Sequence, residues 1–352
     1  HGLGRRGAAG GVLRRLAEQG LPSFTEMPPD GASSSLWYAA VAFFAAWGAL
    51  NVLTYLLPMV LANLRGQVNL RVRYKAEWAL VTGGSSGIGR ALAHALANQG
   101  LNVILVALDD NLLSDTCAEL RSQHPDLQFR AVGVNLGQED GKYMQIIAEA
   151  TRDIHVSILF NNAGYIVTGF FHSTPIEKHL ANVHCNSISA VRITHHFVKR
   201  MYESGRPGFI CFTSSAAAYI PSPFTAMYSA TKAFMSRFAT SLAAEANPQG
   251  VDVMAVHPSP VSSNFLANTL KVKVMDDFYR FSTGPDAVPP MIFRKVGRAQ
   301  VLADLGPLAV GLRLVTKLLD DCFFASAFAA CAGNLPDYKE HAVKAFQSKK
   351  AA

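Results

Sequence analysis

Between residues 36 and 64 the chain runs 29 positions without Asp, Glu, Lys or Arg, in a stretch rich in Leu, Ala, Val and Phe. A helix needs only ~20 such residues to cross the hydrocarbon core of a bilayer. The run therefore predicts one transmembrane helix, placed at 36–60, with Trp37 and Tyr38 as interfacial aromatics at one end. Downstream the pattern changes. Short apolar, β-rich runs at 78–81, 103–107, 129–134, 157–160, 209–213 and 251–256 alternate with amphipathic stretches at 88–99, 111–123, 140–152, 176–203 and 225–246. Such alternation predicts an α/β fold, a doubly wound parallel sheet with helices on both faces. The expected organisation is a polar or targeting segment at 1–35, the transmembrane helix, a basic linker at 61–75, a catalytic domain at 76–290, and a C-terminal part at 291–352. Residues 300–333 are apolar but broken by Arg313, Lys317, Asp320 and Asp321, which fits a cap over a site and a membrane-surface segment equally.

Charge adds orientation. Glu26 and Asp30 precede the apolar run, whereas Arg65, Arg71, Arg73 and Lys75 follow it, so the positive-inside rule puts residues 65 onward in the cytosol. Apart from that cluster, which suits anionic lipid headgroups, the bases behind the net charge of +7 are scattered, and no nucleic-acid partner is expected. Five cysteines form no Cys-x-x-Cys and no paired framework, so they read as reduced core residues, and no metal-site spacing occurs. The Arg-rich first 17 residues also fit the remnant of a targeting peptide.

The chemistry is concentrated in a few motifs. The turn Thr82-Gly83-Gly84-Ser85-Ser86-Gly87-Ile88-Gly89 follows a short strand and opens a helix, whose backbone amides and dipole can face a pyrophosphate. Farther on, Tyr228 and Lys232 stand four apart in Tyr-Ser-Ala-Thr-Lys, 13 residues after Ser215. On a helix that spacing puts phenol and ammonium on one face. A charge ~4 Å from a phenol is worth ~4 kcal/mol at an effective dielectric of ~20, enough to lower its pKa by roughly three units. The expectation is a tyrosine that exchanges a proton with a carbonyl oxygen near neutral pH.

Over residues 76–265 the chain resembles the short-chain dehydrogenase/reductase family, through Thr-Gly-x-x-x-Gly-Ile-Gly at 82–89, Asn161-Asn162-Ala163-Gly164, Ser215, and Tyr228-x-x-x-Lys232. The resemblance implies a Rossmann-type fold and a nicotinamide cofactor. It makes Tyr228 the proton donor, Ser215 the group that orients the carbonyl, with Ser214 its rival, and Lys232 the tuner of the phenol and holder of the nicotinamide ribose. Asn186 would connect Lys232 to solvent through a water. Cofactor contacts are implied for Gly83, Ser85, Ser86, Gly87, Ile88, Gly89, Asp109, Asn135, Asn162, Ala163, Gly164, Tyr228, Lys232, Pro258, Val261 and Ser263. Asn161 to Gly164 would stabilise the central sheet and border the adenosine. The family's usual Pro-Gly-x-Val stands here as Pro258-Ser259-Pro260-Val261, which leaves the local turn open. Asp109 and Asp110 argue mildly for NAD(H), whereas the most similar-looking branch favours NADP(H), so both stay open.

That branch is the endoplasmic-reticulum reductases of very-long-chain 3-oxoacyl-CoA, which the anchor, the basic linker and Lys349-Lys350-Ala351-Ala352 resemble. The resemblance implies reduction of a lipidic ketone, as in fatty acid elongation, by a single-pass membrane enzyme with a cytosolic catalytic domain. Steroid, retinol and 3-ketosphinganine substrates are the alternatives, and a mitochondrial or plastid membrane is the alternative location. A non-catalytic structural subunit of a membrane complex is the reading of another class. Homodimer pairing through the helices at 176–203 and 225–246 is left open.

Overall fold

The computed structural model describes residues 31–266, 269–270, 272–273, 277, 279–297 and 300–347. Residues 1–30 of the polar or targeting segment expected at 1–35 and the Lys349-Lys350-Ala351-Ala352 tail lie outside them, and residues 31–35 belong to the first helix.

The charge-free run folds as one helix, α1 (Gly31–Leu64), with Pro58 inside it. By length and composition it can cross a membrane, and none of its most apolar window is buried. The chain divides into two compact units, 1–54 and 55–352. From Tyr55 onward α1 belongs to the second: the Tyr55 hydroxyl donates to Asp304 at 2.8 Å and Ala62 is buried. The expected span of 36–60 lies within the candidate span, Ser35–Leu64, which is longer than the ~20 residues needed to cross a hydrocarbon core.

The expected basic linker is likewise packed. Leu70 in α2 (Leu70–Arg73) is fully buried, and Arg73 and Tyr74 both reach Asp252, at 3.0 and 2.6 Å. Arg73 thus has a protein partner while its side chain stays partly exposed.

The second unit is built on a parallel sheet of order β3-β2-β1-β4-β5-β6-β7. Its elements, in chain order, are β1 (Trp78–Thr82), α3 (Gly87–Asn98), β2 (Asn102–Ala107), α4 (Asn111–Gln123), β3 (Phe129–Gly133), α5 (Tyr143–Ala150) and β4 (Val156–Asn161). Then come α6 (Ile176–Val183), α7 (Ser189–Ser204), β5 (Gly208–Thr213), α8 (Ala226–Ala246), β6 (Val251–Pro258), α9 (Val288–Phe293) and β7 (Leu302–Leu305). Last are α10 (Pro307–Leu318), α11 (Asp321–Cys331) and α12 (Pro336–Gln347).

Every residue of β1, β4 and β5 is buried because the sheet is covered on both faces. Successive side chains alternate between two cores. Ala79, Val81, Val103, Leu105, Phe160 and Cys211 pack with α3, α4 and α9. Leu80, Ile104, Val106, Leu159, Ile210 and Phe212 pack with α5, α7 and α8. The strand order reverses between β1 and β4, and in such sheets ligands bind at the carboxyl ends of the strands beside that reversal.

Two expectations need correction. The catalytic sheet does not end before residue 290, since β7 pairs in parallel with β6 from 302 to 305. Four residues are too short for periodicity to betray a strand. The cysteines are not all core residues either: Cys117 and Cys211 are buried, but Cys322 and Cys331 on α11 are exposed.

Candidate active site

The first strand ends on a hydroxyl that organises its neighbours. Thr82 Oγ1 accepts from the amides of Asn162 and Ala163, at 3.0 and 2.9 Å. Asn162 then donates to the Thr82 carbonyl at 3.2 Å and accepts from Thr213 Oγ1 at 3.1 Å. These bonds lock the carboxyl ends of β1, β4 and β5 together. Asn161 turns the other way, donating to Thr194 at 2.8 Å.

Between β1 and α3 the chain needs a left-handed residue twice, at Gly83 (φ +64°) and Gly87 (φ +51°). A Cβ on Gly83 would lie 2.9 Å from the Ala163 backbone. The cap residue Ser86 makes no side-chain bond to the first turn of α3. That turn therefore presents amides uncapped by a side chain, with the positive end of the dipole, as a pyrophosphate requires. The Ser85 carbonyl is held by Thr116 Oγ1 at 3.1 Å, and Ile88 packs on the core. Ser263 closes over the turn, 3.3 Å from where a Gly87 Cβ would stand.

The two candidate acids separate. Asp110 caps α4, accepting from Leu113 N at 3.1 Å, whereas the Asp109 side chain stands 2.6 Å from where a Cβ on Gly133 would be, at the end of β3. Of the two, only Asp110 is the helix cap, and Asp109 lies at the carboxyl edge of β2 and β3. Asn135 is exposed, and its side-chain oxygen accepts from Gly137 N at 2.9 Å in a local turn. Its amide nitrogen is what it can offer a cofactor. Pro258 ends β6, and Val261 is buried in a parallel bridge with Thr283. Ser259 answers the open turn: its hydroxyl accepts from Ala309 N at 3.1 Å, and a Cβ on Gly306 (φ +90°) would meet that oxygen at 2.7 Å. The side chain that replaces glycine thus caps α10 from a neighbouring strand.

At the chemical end, Ser215 stands beside Tyr228 with its hydroxyl accepting from Ala217 N at 3.2 Å, and the Lys232 ammonium lies 5.6 Å from the Tyr228 ring centre. Lys232 donates to the Thr213 carbonyl at 2.7 Å. Ser214, the rival to Ser215, is buried, with its hydroxyl on the Lys232 carbonyl at 2.7 Å. It faces structure, not substrate. Asn186 sits in a π-turn, His184–Ile188, between α6 and α7. Its amide accepts from Tyr165 N and donates to Tyr165 O and Thr231 Oγ1, at 3.0, 2.9 and 3.2 Å. No direct bond joins it to Lys232; a Cβ on Gly164 would lie 3.1 Å from Asn186 Oδ1 and 3.2 Å from Lys232 Nζ. The two groups face each other across that glycine.

The electrostatics differ from the sequence expectation. Burial pushes the Tyr228 phenol up to about 12, against the pull of Ser215, and pushes the Lys232 ammonium down to about 8. Both groups lose water on burial, which disfavours the charged form of each. Phe265 against the Tyr228 ring and Tyr279 beside it were not legible in the motifs. Nor was the aromatic cluster of Phe170, Phe224 and Tyr338, which sets α12 against the loop before Tyr228.

A family model described as short chain dehydrogenase matches residues 77–273. The chain belongs to that family. It is an NAD(P)-dependent oxidoreductase by that membership. Among curated relatives, the very-long-chain 3-oxoacyl-CoA reductase of Coccidioides immitis is 31% identical over 184 residues, which is 52% of each protein. That of Podospora anserina is 33% identical over 221 residues, 60% of this chain and 64% of the relative. Mouse 17-beta-hydroxysteroid dehydrogenase type 3 is 33% identical over 217 residues, 60% and 69%. The match thus spans about half to two thirds of these relatives. A short-chain dehydrogenase from Sphingobium yanoikuyae in complex with NADPH superposes with a TM-score of 0.57 at 26% identity, covering 68% of this chain and 92% of that one.

Proposed function

We propose that this chain is a membrane-anchored reductase that uses NADPH or NADH to reduce a ketone on a lipidic substrate, in the best-supported case a long-chain 3-oxoacyl-CoA to its 3-hydroxyacyl-CoA. The observation that carries this is the convergence of Ser215, Tyr228 and Lys232 at the carboxyl edge of the sheet. When bound, the cofactor supplies a hydride to the carbonyl carbon. Negative charge then grows on the oxygen and must be met by donors already aimed at it. Ser215 donates a hydrogen bond, Tyr228 gives up its phenolic proton, and Lys232 holds positive charge behind the phenol.

A phenol raised to about 12 is no obstacle to this direction. An alkoxide is a far stronger base than a phenolate, so transfer runs downhill, and Tyr228 keeps its proton until the charge appears.

The lipidic substrate is supported by three features: the apolar α1, the aromatic cluster at the loop before Tyr228, and relatives named for very-long-chain acyl thioesters. A steroid ketone is the second reading, favoured by the mouse hydroxysteroid dehydrogenase. An endoplasmic-reticulum membrane with a cytosolic catalytic unit fits the basic side of α1. Protein purified in lipid nanodiscs is expected to oxidise NAD(P)H with a long-chain 3-oxoacyl-CoA, and Tyr228→Phe to bind cofactor but lose turnover by ~10²-fold or more. Full activity in that variant would overturn the assignment, and preference for a 17-oxosteroid would replace the acyl thioester.

A further inference from the structure

Behind the reacting groups lies a second set of polar side chains that touches neither the cofactor crevice nor the carbonyl position. His257, near the end of β6, is fully buried. Its Nδ1 meets the Tyr219 hydroxyl at 2.7 Å and its Nε2 meets the Ser236 hydroxyl at 2.8 Å. Tyr219 donates to Asp304 Oδ1 at 2.7 Å, and Tyr55 donates to Asp304 Oδ2 at 2.8 Å. At the other end, Ser236 meets Ser214 at 2.8 Å, and both hydroxyls reach the Lys232 carbonyl, at 2.9 and 2.7 Å.

The chain of bonds therefore runs from α1 through β7 and β6 to the turn of α8 that carries the chemistry. Its last members sit between the groups that react: Thr213 holds the Lys232 ammonium by its carbonyl, and Ser215 stands beside Tyr228. Ser214, which lies between these two residues, is the one clasped. An apolar pair in place of His257 and Asp304 would fill the space without desolvating two titratable groups. Linked short hydrogen bonds instead fix directions, which apolar packing does not. Other charged groups facing the pair are Arg313, whose guanidinium covers the Tyr219 ring at 4.5 Å, Lys295 and Lys232.

We propose that His257 and Asp304 are positioning residues for the reduction, holding the 213–215 strand end and the Lys232 turn in register and tying that register to Tyr55 of α1. The inference rests on the reductase reading above. Its mark is a loss of kcat much larger than any loss of cofactor affinity, because the polar chain meets the back of the Lys232 turn, whose only expected cofactor contact is the ribose, and none of the pyrophosphate turn.

The test uses the full chain in nanodiscs, as wild type, Asp304→Asn, Tyr219→Phe and Tyr55→Phe. Each is assayed with a long-chain 3-oxoacyl-CoA and with a small aromatic diketone as a general carbonyl probe. Asp304→Asn is expected to bind NADPH within about threefold of wild type by nicotinamide fluorescence while kcat falls about tenfold or more on either carbonyl. Its alkaline limb in kcat/KM should move to lower pH, since an ammonium that loses its grip on the Thr213 carbonyl loses its proton more readily. Tyr219→Phe and Tyr55→Phe should shift both readouts the same way by less. A folded, NADPH-binding Asp304→Asn with kcat within twofold of wild type and an unmoved limb overturns the proposal. Should Asp304→Asn fail to fold, Tyr219→Phe decides on the same readouts. Wild type that reduces only the diketone overturns the acyl-CoA reading and leaves this ratio to judge the positioning role. Wild type that binds NADPH and reduces neither overturns both.

Discussion

Gly164→Ala probes the gap between Asn186 and Lys232. The added methyl would lie 3.1 Å from Asn186 Oδ1 and 3.2 Å from Lys232 Nζ, so one of them must give by a few tenths of an ångström. Asn186 is held by three hydrogen bonds, and the ammonium cannot move closer to Thr213, which it already meets at 2.7 Å. Two effects then compete. A retreat of ~0.5 Å by a charge about 5.6 Å from the phenol ring changes their interaction by ~0.2 kcal/mol at an effective dielectric of ~20, less than twofold in rate. The other effect is steric: the methyl fills the space through which a water would join Lys232 to solvent and return the proton to Tyr228. Relay loss dominates, and kcat is expected to fall roughly 10- to 100-fold with KM for NADPH little changed. Stopped-flow NADPH oxidation in H2O and D2O checks this, with a larger solvent isotope effect in the variant. A kcat within twofold of wild type and an unchanged isotope effect would refute the relay.

The pH profile follows from Lys232, whose ammonium burial lowers from its usual 10.5 to about 8. The charged form is the one that supports Tyr228, so kcat/KM for reduction should be level below pH 8 and fall above it, with one proton lost. For stability the sign is opposite: the unfolded chain binds that proton more tightly, so between about pH 8 and 10.5 folding stability contributed by this group rises with pH, readable by urea melts. Ser259→Gly restores the residue usual in the family but removes the hydroxyl from Ala309 N, and should destabilise the fold by ~1 kcal/mol, ~2–4 °C in melting temperature. Gly89→Ala places a methyl on the Gly83 carbonyl and should abolish cofactor binding with the sheet intact, as fluorescence titration and circular dichroism would show.

Much of this protein was legible before folding. The six longer strands announce themselves because a parallel sheet covered on both faces demands unbroken apolar runs. The cofactor turn and the Tyr228–Lys232 spacing depend only on neighbours along the chain, where glycine's freedom and helix periodicity act locally.

What depends on contacts between distant segments was settled only in three dimensions. β7 exists as a strand because β6 offers it an edge, and Ser259 has a role because Gly306 and the open first turn of α10 arrive beside it. The direction of the Tyr228 and Lys232 shifts reversed the local Coulomb argument, since a charge pair read along a helix carries no measure of the water that packing removes. The chain from Tyr55 through Asp304 and His257 to Ser214 joins residues as much as 249 positions apart. No spacing rule reaches that far, and burial is the physical reason those polar groups had to find one another.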